Sequence, residues 1–81
     1  MSDVNKLRWR CRRGTLELDL LLVRYLDAAY LAAEPSEQQA FVQLLALEDT
    51  DLMRYLMGEQ LPDDESLAKL VCAIRALPAE G

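Results

Sequence analysis

The sequence predicts an all-α fold, a compact single-domain bundle of about five short helices. Three observations predict it. Apolar residues recur at three- and four-residue spacing along most of the chain, and strict alternation is confined to Leu16-Glu17-Leu18-Asp19-Leu20. Gly and Pro, three of each, fall where turns would separate such segments. The chain has 81 residues, 52% of them hydrophobic, which supports one core and hence one domain over 1–81.

The first helix is expected over about Val4 to Arg13. Val4, Leu7 and Cys11 make one apolar stripe there, and Arg10, Arg12 and Arg13 suit the negative end of the helix dipole. Gly14 marks a turn. The second helix should run from about Leu16 to Ala33, with Thr15 as N-cap and Glu17 and Asp19 in the first turn, where the dipole favours acids. Its buried face is read as Leu18, Leu22, Tyr25, Leu26 and Ala29. Ser36-Glu37-Gln38-Gln39 fits a capping box for the third helix, which carries Ala40, Phe41, Leu44, Leu45 and Leu47. Glu48-Asp49-Thr50-Asp51 is a polar break that caps a short fourth helix, about Asp51 to Met57, with Gly58 as its stop. The last helix, about Asp64 to Leu77, has the clearest amphipathic pattern: Leu67, Leu70, Val71, Ile74 and Leu77. Pro78 ends it.

Several function classes are disfavoured by the inventory. The chain has no His and only Cys11 and Cys72, so a zinc site or a His-dependent nucleophile is not supported. No Gly-rich phosphate loop or dinucleotide fingerprint is present. The acids sit where helix capping explains them, so the chain is read as not an enzyme. The start has no apolar signal region and the longest apolar run, Leu20 to Val23, is too short to span a bilayer; a cytoplasmic protein without membrane insertion is expected. Residues 1–13 hold five basic side chains against Asp3 alone, whereas the rest holds four basic and thirteen acidic ones. A basic head on an acidic body gives a directed field. Trp9 among Lys6, Arg8, Arg10, Arg12 and Arg13 would suit nucleic acid, but the acidic body, net charge -5 overall, would repel a phosphate backbone. No nucleic-acid partner is expected.

The run Trp9-Arg10-Cys11-Arg12-Arg13-Gly14-Thr15-Leu16-Glu17-Leu18-Asp19 resembles the signature of the SdhE (YgfY-type) family of FAD assembly factors, and Arg13-Gly14-x-x-Glu17 matches that family's RGxxE motif. A second stretch, Leu44-Leu45 with Asp49-Thr50-Asp51-Leu52 and Tyr55-Leu56-Met57-Gly58, is similar to the family's D-x-D-L…W-L-M region, with Tyr55 where the family often has Trp. The resemblance implies a five-helix factor that binds the flavoprotein subunit of succinate dehydrogenase, and in some bacteria that of fumarate reductase, and promotes covalent attachment of FAD to a His of that client. It implies that the chemistry belongs to the client: the isoalloxazine methyl group loses a proton and the client His adds to the resulting electrophile, while the factor contributes positioning. No tightly bound FAD is expected on the factor itself, and it should be a monomer when free. The competing reading is an antitoxin-like or other regulatory interaction module.

The resemblance casts Arg13, Gly14 and Glu17 as partner-binding residues. Arg13 would offer a planar fork to a carboxylate or carbonyl, Gly14 a close backbone approach, and Glu17 an acceptor. The plainer reading makes them a solvated charge, a helix stop and a dipole-compensating acid. Arg12 and Asp19 flank the motif and join the expected contact surface. Trp9 is either a core filler or an interface anchor, with the anchor favoured because it lies off the Val4-Leu7-Cys11 stripe. Asp49 and Asp51 are helix-start acids first and partner contacts second, and Tyr55 keeps an anchoring role if it replaces the family Trp. Cys11 reads as a small packed side chain. On this reading Arg13→Ala, Gly14→Arg and Glu17→Ala would each leave the fold intact and abolish covalent flavin on the client.

Overall fold

The computed structural model describes residues 3–77. Five α-helices follow one another: α1 (Asp3–Arg10), α2 (Leu16–Tyr25), α3 (Pro35–Leu45), α4 (Asp49–Leu56) and α5 (Glu65–Ala76). A π-helical turn, Leu26–Tyr30, continues α2. Among the described residues there is no strand.

The apolar stripes read from the sequence converge on one core. Leu7 and Cys11 enter it from α1 and the residue after it, Leu18, Leu22, Tyr25 and Leu26 from α2 and the π-turn, and Ala40, Phe41, Leu44 and Leu45 from α3. Leu52 and Leu56 come from α4, and Leu70, Val71 and Ile74 from α5. Each large aliphatic side chain fully buried in this way contributes about 2 kcal/mol over leaving it in water. The Phe41 ring lies between Tyr25 and Tyr30, with centroids 4.8 and 5.5 Å away. α3 packs along α5, α2 touches α4 and α5, and α1 rests on the π-turn, where Arg8 pairs with Asp27 at 2.7 Å.

Local departures from the expected elements have physical causes. α1 ends at Arg10, three residues early, and the Cys11 N–H closes its last turn on the Leu7 carbonyl at 2.9 Å. Regular α-helix stops at Tyr25 rather than running to Ala33, because the next turn widens to take up an extra residue. That shifts the phase of the apolar stripe: Leu26 stays buried while Ala29, expected inside, is only partly covered. The Ser36 capping box does not form. α3 starts one residue sooner, at Pro35, with Glu34 in the N-cap position; a proline ring presets φ for the first helical residue and has no N–H to leave unpaired. Gln38 instead donates to the Tyr30 carbonyl at 2.8 Å. α4 begins at Asp49, and Gly58 stops it at φ +85° as expected. The Gly58 and Glu59 N–H groups donate to the Tyr55 and Arg54 carbonyls, a Schellman closure. Asp64 caps α5 by accepting from the Leu67 N–H at 3.0 Å. The expected stop at Pro78 lies outside the described residues.

Candidate functional site

The corner between α1 and α2, Cys11 to Thr15, carries the RGxxE motif. Gly14 turns the chain at φ +88°, a conformation L side chains rarely adopt. A Cβ there would meet nothing within 4 Å, so the glycine is required inside this chain by its backbone and not by crowding. Thr15 takes the N-cap position of α2, but its hydroxyl makes no cap bond. Asp19 reaches back instead and accepts from the Arg13 N–H at 2.6 Å, which ties the first turn of α2 to the loop before it.

Arg13 is committed to the fold. Its Nε donates to Asp49 Oδ1 at 2.8 Å. Its Nη1 donates to the Leu45 carbonyl at 2.8 Å and, more weakly, to the Arg10 carbonyl at 3.4 Å. Its Nη2 donates to the Leu47 carbonyl. A guanidinium has five N–H donors, so a single one remains, and the side chain is only 17% exposed. One cation therefore neutralises carbonyls at the ends of α1 and α3 and pairs with the first residue of α4. Such a fork does what a lysine cannot, because its donors are held in one plane.

What the corner leaves open to solvent is different. Glu17 is exposed in the first turn of α2. Trp9 is 75% exposed, which removes the core-filler alternative, and the Arg12 guanidinium lies 5.9 Å from its ring centroid. Beneath them Cys11 is sealed, and burial pushes its thiol up to about 11, so it packs and does not react. Asp51 pairs with Arg54 one turn along α4, and Tyr55 is half-buried against the core. Among the described residues no hydrogen bond or ion pair joins Asp51 or Tyr55 to the motif. The structure thus joins Arg13 to Asp19 and Asp49, sets Arg12 against Trp9, places Gly14 at the turn and Glu17 in the first turn of α2, and leaves Asp51 paired with Arg54 and Tyr55 against the core on α4.

Two of the three test substitutions change meaning. Arg13→Ala would strand the carbonyls it serves and Gly14→Arg would force a side chain into a left-handed backbone, so neither leaves the fold untouched. Glu17→Ala alone removes an exposed carboxylate with no partner among the described residues. Sequence reasoning missed the apolar ridge beside the motif: Leu16 and Leu20, one turn apart on α2, are 71% and 51% exposed. Their signal was available, since they lie off the Leu18-Leu22-Tyr25 face. Among the described residues no group of three His, Cys, Asp or Glu side chains is placed to hold a metal ion. No helix there is long and apolar enough to cross a membrane.

The family model described as Sdh5, flavinator of succinate dehydrogenase, matches residues 5–78. The chain is 49% identical over 77 residues to the FAD assembly factor SdhE of Methylococcus capsulatus, covering 95% of this chain and 93% of that one. It is 47% identical to the FAD assembly factor SdhE of Xylella fastidiosa strain 9a5c, over 96% of this chain and 80% of that one. It is 34% identical to the protein of the same name from Shewanella oneidensis, over 98% and 96% of the two chains. With the family model matching residues 5–78 and a relative 49% identical over 95% of this chain, the chain belongs to the Sdh5 family, the flavinators of succinate dehydrogenase, and with it to the FAD assembly factors.

Proposed function

We propose that this chain binds the flavoprotein subunit of succinate dehydrogenase through the α1–α2 corner and promotes covalent attachment of FAD to that subunit. Family membership supports the task. The observation that carries the assignment to this corner is the internal bonding of Arg13. It fixes the ends of α1 and α3 and the start of α4, so that Gly14 and Glu17 ride on rigid elements while their outward faces stay free. A surface held this way can select one arrangement of a client without first ordering itself.

In this reading Glu17 accepts hydrogen bonds from the client, and Gly14 lets the client backbone come close. Trp9 and Arg12 form the aromatic and cationic flank, while Arg13, Asp19 and Asp49 act through the shape they impose. Asp51 and Tyr55 extend the contact along α4. Flavin and the accepting His belong to the client; the isolated factor, a monomer, is expected to hold no FAD tightly. A flavoprotein subunit of fumarate reductase would be gripped in the same manner. The acidic body, net charge -5 overall, counts against a nucleic acid as the partner.

The test is co-expression of the flavoprotein subunit with this chain, read as in-gel flavin fluorescence and co-purification. Glu17→Ala should keep the circular dichroism and melting of the parent and lose most of the covalent flavin. Full flavinylation by Glu17→Ala together with the more disruptive Gly14→Arg would sink the assignment of this corner.

A further inference from the structure

Three ion pairs tie charged side chains together within the described residues. Arg8 pairs with Asp27, Arg13 with Asp49 and Arg54 with Asp51. Glu17, Arg24 and Arg75 have no hydrogen-bond or ion-pair partner among the described residues. All three border an open groove of about 370 Å³ between α2 and the α4–α5 side of the bundle. Its apolar floor is Leu20, Leu21, Leu56 and Met57. Glu17, Leu20, Leu21 and Arg24 follow at i, i+3, i+4 and i+7, one continuous stripe along α2. Arg75 lies over the Gly58 backbone, where a Cβ would come within 2.6 Å of its guanidinium, so the absent side chain at Gly58 makes the room in which Arg75 sits at the groove's edge.

From this juxtaposition we infer that the α2 groove is a second half of the client interface. It takes a flavoprotein segment that lays an apolar side chain on Leu20 and Met57 and directs a carboxylate at Arg24 and Arg75. The inference rests on the proposed binding of the flavoprotein at the α1–α2 corner. Three features name the occupant. The groove is continuous with the motif, because Glu17 belongs to both. Leu20 of its floor is half exposed to water, and Leu16, one turn before it on α2, is exposed as well, an apolar exposure that marks contact surfaces. The two cations are unmatched by any acid of the described chain, so charge complementarity calls for an acidic segment. An anionic membrane would fit these cations less well, since a chain of net charge -5 is repelled by such a surface.

Leu20→Glu, Arg24→Glu/Arg75→Glu and Glu17→Ala in the full chain decide it. Each variant is first checked by circular dichroism, since all four side chains are at least partly exposed. Affinity for the purified flavoprotein subunit is then measured by titration at low and moderate salt, alongside covalent flavin yield. Leu20→Glu should weaken binding tenfold or more. Reversal at Arg24 and Arg75 should do the same at low salt and flatten the salt dependence of what remains. If Glu17→Ala loses binding while the groove variants bind as the parent does, the groove inference fails and the corner assignment stands. If none of the variants affects binding or flavin yield, the corner assignment fails as well. Should Leu20→Glu instead abolish self-association with client affinity unchanged, the groove is a contact between copies and the inference is overturned.

Discussion

At the scale of single residues, Arg13 divides its motif into a part that builds and a part that faces outward. Arg13→Ala leaves the Leu45 and Leu47 carbonyls without their donors. Hydrogen bonds from a charged group contribute roughly 1.5–3 kcal/mol each, and part of the loss is recovered by water, so a cost of about 3 kcal/mol is expected. That is a drop in Tm of over ~10 °C for a chain of this size. Arg13→Lys keeps the charge without the fork and should recover about half of it. Gly14 separates backbone cost from contact cost. Gly14→Ala should cost ~1–2 kcal/mol through its left-handed backbone alone. Gly14→Arg, with open space around it, should cost about the same in melting, and any further loss of client affinity then measures the client's approach. Cys11 gives a pH signature. The folded chain holds the thiol proton to about 11, while the unfolded chain releases it near the ordinary value of 9.0. Stability from this group is complete below pH 9 and is lost as pH rises from there toward about 11. Denaturant melts at stepped alkaline pH should show that decline, and Cys11→Ala should remove this part of it.

At the scale of elements, much of the secondary structure was legible because the apolar spacing marks each helix and glycines mark some of the ends. Gly58 could be read as a stop from position alone. Asp64, read as the first residue of the last helix, is its N-cap, and Asp64→Ala should lower stability by about 1 kcal/mol in thermal melts. Where two local rules competed, the sequence favoured the wrong one. Ser36 has the residues of a capping box, yet Pro35 is better suited to the first helical position and moves the start. The π-turn after Tyr25 was not legible at all. Both an α-turn and a π-turn accept Leu26-Asp27-Ala28-Ala29-Tyr30, and the choice depends on what Tyr30 and Asp27 meet across the fold, namely Phe41 and Arg8.

At the scale of the whole molecule, the same division explains what could be read of the candidate site. The motif residues were recognisable as a string, and so was their exposure at Glu17 and Trp9. That Arg13 spans to carbonyls 32 and 34 residues away could not be read from the string, because the distance is closed only by packing α3 against the rest. The groove between α2 and the α4–α5 side depends on tertiary packing in the same way. One consequence concerns how this protein can be watched. Trp9 is its only tryptophan, and it is 75% exposed on the basic head, away from the core. Its emission should therefore already resemble that of an indole in water and shift little in denaturant, while circular dichroism reports the full transition. A large red shift on unfolding would contradict this. The intrinsic fluorophore is blind to folding and placed to sense whatever covers the head.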